Sequence, residues 1–226
     1  MNDVISLCTP CMNRTYDLKA VMPSRLLAAA KSPPVELCIV NYGSQDDLDD
    51  YVAGLELPAG VTLTYCRVQR RFWHMANAYN VAIRSSHGAY FWLMGTDVAL
   101  REDAIMQIRA LLTEGYVWMY PKRYRGVIIC QRAEFMAAGG YDERFEFYGP
   151  EDKELDLRLR RRGGKLTQYP YQLLQVIRTP EEQKIKHYRV RRERQALSEL
   201  MMPYYQDNAE NYRLVVNVGQ EWGAWN

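Results

Sequence analysis

The amino-terminal part of the chain alternates between short apolar runs and helix-sized segments, and this alternation restricts the possible folds more than any other feature. Apolar runs cover residues 4–10, 35–44, 60–68 and 89–98. Between the first two runs, leucine, valine and methionine recur at helical spacing, and helix-like segments also separate the later runs. Strands that alternate with helices are typical of a doubly wound α/β sheet, whose ligands bind outside the carboxyl ends of the strands. We therefore expect an α/β fold with its functional site at that edge.

The second half of the chain has a less regular pattern. Residues 127–130 have the composition of a buried strand. A helix is predicted over 151–162, because Pro150 suits its first turn and Gly163 suits its carboxyl-terminal cap. The segment from 181 to 226 is the hardest to interpret, and we expect it to be mainly helical.

Composition limits the classes of function. With 226 residues, 48% of them hydrophobic and 25% charged, the chain has the balance of an ordinary globular protein, and one domain is the default expectation. A net charge of +2 gives no global field that would argue for nucleic acid. Five cysteines, an odd number without framework spacing, favour reduced thiols. No segment approaches the roughly 18 apolar residues of a membrane span. We therefore predict a cytoplasmic protein without a membrane span.

One apolar run ends on a single carboxylate. The stretch AYFWLMGTDVAL, residues 89–100, is suited to a buried strand, yet it delivers Gly95, Thr96 and Asp97 at its end. A carboxylate in this position can hold a divalent cation, and it can equally cap a following turn or helix. Neighbouring motifs are needed to choose between these interpretations.

Five motifs supply that context. They are SLCTPCMNR, IVNYGSQD, NVAIRSSHGAYFWLMGTDV, GGYDERF and YGPEDKELDLRLRRRGG. In order and approximate spacing they resemble family 2 glycosyltransferases with the GT-A fold, over roughly residues 4–165. The resemblance implies a Rossmann-like, mixed and mostly parallel sheet flanked by helices, and a hexosyl- or pentosyltransferase activity.

The resemblance also implies a domain organisation. We expect a GT-A domain over 1–180, in which 1–100 form the half that binds the nucleotide-sugar and 101–180 form the acceptor half. Residues 181–226 would be a helical carboxyl-terminal extension of this single domain.

The residues that the resemblance assigns to the nucleotide-sugar donor follow the first strands. They are Thr9, Pro10, Asn13, Arg14, Asn41, Tyr42, Asn80, Gly95, Thr96 and Asp97. Asn41 stands where the family usually has an aspartate that accepts a hydrogen bond from uracil, and an asparagine can still accept one, so a UDP-sugar is favoured. Tyr42 could stack on a base or pack in the core. Asn80 could contact the donor or be a helix-surface amide.

A divalent metal is the implied cofactor. The family's Asp-x-Asp motif reads Gly95-Thr96-Asp97 here, so its first carboxylate is missing. A hard cation, Mn²⁺ or Mg²⁺, neutralises charge on the leaving diphosphate, and Asp97 is its predicted ligand. His187 is the candidate extra ligand, although a lone histidine is commonly a surface or satisfied core residue.

The catalytic base is expected at the start of the 151–162 helix. Asp152 would remove the acceptor proton and Glu151 would orient the acceptor, which implies inversion at the anomeric carbon. The alternative is structural, because acids in a first turn complement the helix dipole and form i,i+4 pairs with arginines.

Competing functions remain at this point. A sugar nucleotidyltransferase would have a similar sheet, but it normally has a glycine-rich loop after the first strand, which SLCTPCMNR lacks. A non-catalytic module that binds a nucleotide-sugar or nucleic acid is a further alternative. Basic residues cluster at 67–71 (Arg67, Arg70 and Arg71), at 158–162 and at 189–194, and aromatic residues are interleaved with them. They leave the acceptor open between a saccharide and a hydroxymethylated base in phage DNA.

Overall fold

The structure is a computed structural model, and it describes residues 3–122 and 125–224. Its strands are β1 (Ile5–Cys11), β2 (Val35–Asn41), β3 (Val61–Arg67), β4 (Tyr90–Leu93), β5 (Val98–Leu100), β6 (Trp118–Pro121), β7 (Ile129–Gln131), β8 (Leu166–Tyr169) and β9 (Leu174–Val176). Its helices are α1 (Thr15–Lys31), α2 (Leu48–Ala53), α3 (Met75–Ser85), α4 (Ala104–Leu112), α5 (Arg132–Ala137), α6 (Glu151–Arg161), α7 (Glu181–Ile185) and α8 (Arg194–Glu210).

The main sheet is mixed and mostly parallel. Within the described residues it has seven strands in the order β3-β2-β1-β4-β7-β6-β8. Strand β1 is parallel to β2 and β4, β2 is parallel to β3, and β6 is parallel to β8. Strand β7 runs antiparallel to its neighbours, β4 and β6. The predicted α/β architecture is confirmed.

Helices cover both faces of this sheet. One apolar cluster joins the sheet to α1, α2 and α4, and a second joins it to α3, α5, α6 and α8. Every residue of β1, β2 and β4 is buried, which is the pattern of strands covered on both faces. This is why their sequences read as continuous apolar runs.

The apolar run at 89–98 is not one strand, so that expectation was wrong. Strand β4 ends at Leu93, a turn follows, and Val98 begins β5, which pairs antiparallel with β9 in a separate two-stranded sheet. At this turn the chain leaves the main sheet, and the Val98 N–H donates to the Gly95 carbonyl across it. Asp97 therefore lies between two strands and caps no helix, since α4 begins after Asp103.

The carboxyl-terminal segment packs on the second apolar cluster. Helix α8 lies against α6, and Leu197 and Met201 are buried there. Residues 211–224 form no helix or strand but return to the core, where the Trp222 ring lies 6.2 Å from the ring of Phe135. In the described parts of the chain, no helix is long and apolar enough to cross a membrane. All five cysteines are buried free thiols.

Candidate active site

A cavity of about 580 Å³ lies beyond the carboxyl ends of β1 and β4. Its floor is the turn formed by Gly95, Thr96 and Asp97, hereafter the 95–97 turn. Its walls are the amino end of α6 and residues of α7 and α8. The cavity therefore occupies the edge of the sheet at which the alternating strand pattern predicts a site.

Eight of the residues predicted from sequence line this cavity. They are Pro10, Arg14, Gly95, Thr96, Asp97, Glu151, Asp152 and His187. Thr9, Asn13, Asn41, Tyr42 and Asn80 do not line it. The structure thus brings the predicted metal ligands and the predicted catalytic carboxylates to one space.

Tyr42 and Asn80 are structural residues in the described fold. The buried Tyr42 hydroxyl donates to Asn77 Oδ1 at 2.6 Å, and its ring packs edge-on against Trp73. Asn80 is fully buried, and its side chain bonds both the N–H and the carbonyl of Tyr141, at 2.8 and 2.9 Å. Tyr42 thus follows the packing alternative, whereas Asn80 is neither at the cavity nor on the surface.

Thr9, Asn13 and Asn41 shape the loops behind the cavity. The Asn13 N–H donates to Ser44 Oγ at 2.9 Å, and the Ser44 N–H donates to Asn41 Oδ1 at 2.8 Å. The Asn41 amide also donates to Asp49 at 2.9 Å, so it is already engaged on both sides. Thr9 Oγ1 accepts a hydrogen bond from Arg25. These contacts tie the loop after β1 to the loop after β2.

Asp97 faces positive side chains. Its Oδ2 lies 3.3 Å from Arg14 Nη2 and 3.8 Å from Lys184 Nζ, and it accepts a hydrogen bond from Thr179 at 3.4 Å. A Cβ atom on residue 95 would lie only 2.6 Å from the Oδ1 atom of Asp97. A side chain at position 95 would therefore require the Asp97 carboxylate to turn away, and this agrees with the missing first carboxylate.

The donor set for a metal is small. Among residues 3–122 and 125–224, no group of three or more histidine, cysteine, aspartate or glutamate side chains is placed to hold an ion. Asp97 and His187 both line the cavity. Burial, with help from the charges of Lys186 and Arg14, lowers the pKa of His187, so its imidazole is neutral and able to ligate at pH 7. The chain thus fits a cation that takes most of its ligands from substrate and water, as Mg²⁺ commonly does.

Sequence reasoning missed Arg25, which supports the 95–97 turn. Its guanidinium is buried and donates to Thr9 Oγ1, to the Gly95 carbonyl and to the Val98 carbonyl. Burial lowers the pKa of Arg25 to about 10, against the opposing effect of Asp97, so it is charged at pH 7. The sequence held one signal for this role. Arg25 follows Met22 by three positions and Val21 by four, which places an arginine on the apolar face of α1.

Thr96 presents a buried hydroxyl to the cavity. The residue is 3% exposed and its Oγ1 has no hydrogen-bond partner in the described structure. A buried hydroxyl without a partner is costly, and native proteins normally satisfy such groups. A ligand in this cavity could supply the missing partner.

Glu151 and Asp152 begin α6, and both line the cavity. The Tyr141 hydroxyl donates to Asp152 Oδ1 at 2.9 Å, and the Gly149 N–H donates to Glu151 Oε2 at 3.0 Å. Burial raises the pKa of Asp152 to about 6, while the Tyr141 hydrogen bond and the charge of Arg125 oppose the rise. Burial and the charge of Asp152 raise the pKa of Glu151 well above its usual value. Two adjacent carboxyls with raised pKa values are typical of acid–base chemistry.

The fold is that of the GT-A glycosyltransferases, and comparison with known proteins gives the family. A sequence model of glycosyl transferase family 2 matches residues 6–136, more than half of the chain, and a model described as the N-terminal domain of galactosyltransferase matches residues 109–188. The chain belongs to glycosyl transferase family 2. Comparison with curated proteins finds no match.

Solved structures with low sequence identity share the fold. S. aureus TarS 1-349 in complex with UDP-GlcNAc superposes with a TM-score of 0.68 at 12% identity, over 87% of this chain and 64% of that chain. The mannosyltransferase PcManGT from Pyrobaculum calidifontis, in complex with GDP-Man and Mn²⁺, gives 0.64 at 13% identity, over 95% and 72%. Another structure of TarS 1-349 gives a TM-score of 0.62 at 12% identity and covers 73% of this chain, which spans 57% of the length of that protein.

Proposed function

We propose that the chain transfers a sugar from a nucleoside diphosphate sugar, a UDP-sugar, to a hydroxyl acceptor, with inversion at the anomeric carbon. One observation carries the proposal: the 95–97 turn and the Glu151–Asp152 pair line a single cavity. A donor diphosphate and an acceptor hydroxyl can therefore meet between them. The TarS complex with UDP-GlcNAc supports a UDP-sugar.

Asp152 would act as the general base. In a single displacement, the acceptor oxygen attacks the anomeric carbon as its proton passes to Asp152, and the bond from that carbon to the diphosphate oxygen breaks. With a pKa of about 6, Asp152 is mostly ionised at pH 7. Glu151 has a pKa raised by burial and by Asp152, so it keeps its proton more readily and can donate a hydrogen bond to the acceptor.

Positive side chains would receive the leaving diphosphate. Arg14 and Lys184 already lie beside Asp97, and both line the cavity. Their fixed charges offset the charge that develops on the diphosphate oxygen as the glycosidic bond breaks. The Thr96 hydroxyl, which lacks a partner in the described structure, is available to donate to a phosphate oxygen.

We propose Mn²⁺ or Mg²⁺ as cofactor, held by Asp97 with His187 as the extra ligand. When bound, the cation would neutralise the leaving diphosphate. The Mn²⁺ in the PcManGT complex supports this assignment. Since the described chain offers one carboxylate and one imidazole here, most of the remaining ligands must come from the donor phosphates and water.

The proposed acceptor is a saccharide or a hydroxymethylated base in DNA. The Trp73 N–H donates to the His187 carbonyl at 2.8 Å, which places the basic residues at 70–71 beside those at 184–194. Arg71, Arg191 and Arg192 are exposed and lie outside the cavity lining. Exposed basic side chains suit the phosphates of a nucleic acid.

A donor screen tests the proposal. The protein is incubated with UDP-, GDP- and dTDP-sugars, with and without Mn²⁺, and with simple glycosides or hydroxymethylated DNA, and products are identified by mass spectrometry. A transferase yields a glycosylated acceptor and a free nucleoside diphosphate. A nucleotidyltransferase would instead join a nucleoside triphosphate to a sugar phosphate and release pyrophosphate. A binding module would yield no product.

A further inference from the structure

We propose that Tyr141 is a positioning residue for Asp152: it holds one carboxylate oxygen so that the other faces the acceptor. We further infer that Asn80 and Asn217 fix Tyr141 for this task. The inference rests on the proposed role of Asp152 as general base, and it assigns a purpose to Tyr141, Asn80 and Asn217, none of which lines the cavity.

In the hydrogen bond between Tyr141 and Asp152, the tyrosine hydroxyl is the donor. Tyr141 is fully buried, and burial together with the charge of Asp152 raises its pKa well above the usual value. The hydroxyl therefore keeps its proton and donates to Asp152 Oδ1. The other carboxylate oxygen of Asp152, Oδ2, lies beside Gly126, since a Cβ atom on that glycine would be 3.3 Å from it. Gly126 lines the cavity. Asp152 thus has one oxygen held by the protein and one toward the substrate space.

Tyr141 is fixed by its own backbone. Asn80 bonds both its N–H and its carbonyl, and Asn217 Nδ2 donates to the same carbonyl at 2.7 Å. Asn217 also donates to the Gly139 carbonyl at 2.8 Å, and it adopts a positive φ of 57°. At Gly140 a Cβ would come within 2.7 Å of Asn80 Oδ1, so the backbone approaches too closely for a side chain.

Helix α6 supports the same loop from the other side. Its buried Arg158 pairs with Glu154 and donates to the carbonyls of Ala138 and Gly140, at 2.6 and 2.7 Å. The loop that carries Tyr141 and the helix that carries Asp152 are therefore joined directly. This arrangement limits how far the hydroxyl can move relative to the carboxylate.

The charges around Asp152 determine the direction of the expected effect. The titratable groups that line the cavity near it are Tyr79 of α3, Arg125 before β7, Tyr148, Glu151, Lys153 and Arg194 of α8. Burial raises the pKa of Asp152, and the Tyr141 hydrogen bond and Arg125 lower it. Without the Tyr141 hydroxyl, less remains to offset the rise in the pKa of Asp152 that burial causes. Asp152 would then ionise only at higher pH.

The first experiment follows Asp152 ionisation without any substrate. Carboxyl ¹³C NMR titrations of the wild type and Tyr141→Phe are compared, with the Asp152 signal assigned by its loss in Asp152→Asn. We expect the midpoint in Tyr141→Phe to rise by roughly one to two pH units. Tyr169→Phe is the matched control, because it removes another buried, bonded hydroxyl outside the cavity and should leave the midpoint in place.

The second experiment measures the pH dependence of transfer. The rate rises as Asp152 ionises, so Tyr141→Phe should lose roughly five- to fiftyfold at pH 6 and much less at pH 8.5. If Tyr141→Phe does not fold, Asn217→Gly, which tolerates the positive φ and deletes the amide, should shift the midpoint in the same direction by less.

The outcomes separate the two proposals. An unchanged NMR midpoint in Tyr141→Phe, or in Asn217→Gly where Tyr141→Phe does not fold, overturns the positioning role, as does an equal loss of rate at every pH. A shifted midpoint together with full transfer by Asp152→Asn would instead overturn the general-base role and leave the coupling of Tyr141 to Asp152 intact.

Discussion

The guanidinium of Arg14 lies 3.3 Å from the carboxylate of Asp97, so the loop after β1 is joined by an ion pair to the 95–97 turn. Lys184 of α7 approaches the same carboxylate oxygen. Asp97 is thus surrounded by positive charge contributed by the first loop of the fold and by its carboxyl-terminal part. This pairing shapes what we expect of metal binding.

Metal binding should depend on the nucleotide. Because Asp97 is already paired with Arg14 and Lys184, Mn²⁺ alone should bind weakly, whereas Mn²⁺ with UDP should bind tightly. Calorimetry on the wild type and on Asp97→Ala measures this binding. Asp97→Ala should lose the UDP-dependent binding of Mn²⁺ and the metal-dependent turnover. Asp103→Ala, which removes a carboxylate before α4, is the control. Wild-type turnover that survives chelation would exclude the metal role of Asp97.

Loss of the proposed base should separate chemistry from donor binding. We expect Asp152→Asn to bind a UDP-sugar as the wild type does and to lose transfer by roughly two to four orders of magnitude. Glu151→Gln should lose less, or should weaken acceptor binding. Asp103→Asn, which removes a carboxylate before α4 and outside the cavity, should retain transfer. Steady-state rates with separate donor titrations distinguish these effects.

Arg25 should matter for stability and for the donor site together. Arg25→Met leaves the carbonyls of Gly95 and Val98 without their donor, and we expect the free energy of unfolding to fall by about 2–4 kcal/mol. Donor affinity should fall as well, because the 95–97 turn loses its support. Lys31→Met, at an exposed position of the same helix, should change neither quantity appreciably. Urea denaturation and UDP titration measure the two effects.

The class of acceptor should be visible in salt dependence. If DNA is the acceptor, Arg191→Gln with Arg192→Gln should weaken transfer and reduce the slope of log affinity against log salt by about one for each phosphate that is no longer neutralised. A saccharide acceptor should respond little. Lys31→Gln with Lys165→Gln removes the same charge elsewhere and serves as the control. Absence of transfer to hydroxymethylated DNA at low salt would remove the nucleic-acid acceptor.

Strands β1, β2 and β4 could be predicted because each is buried on both faces and therefore reads as one apolar run. The break between β4 and β5 could not, because it depends on Arg25, which reaches the 95–97 turn from a distant helix. The same limit applies to individual site residues. Asn80 lies on the predicted helix, but its bonds to Tyr141 depend on a loop far along the chain, which local pattern does not reveal.

Sequence also underestimated the carboxyl-terminal segment. From the expected extension beginning at residue 181, the sequence singled out only His187 and the basic cluster at 189–194 for the site. In the structure Lys184, His187 and Arg194 all line the cavity. Of these, Arg194 begins α8, which packs against α6, and a contact between segments so far apart in the chain has no local signature.

The packing of α8 against α6 has a consequence for synthesis. All strands of the main sheet precede residue 170, so the ribosome releases them before α7 and α8. Until α8 emerges, the apolar side chains of Leu155 and Leu159 lack part of the cluster that Leu197 and Met201 complete. A nascent chain therefore passes through a stage in which the sheet can form while that apolar face is still incompletely covered. At that stage the exposed apolar face is a surface to which a chaperone would bind.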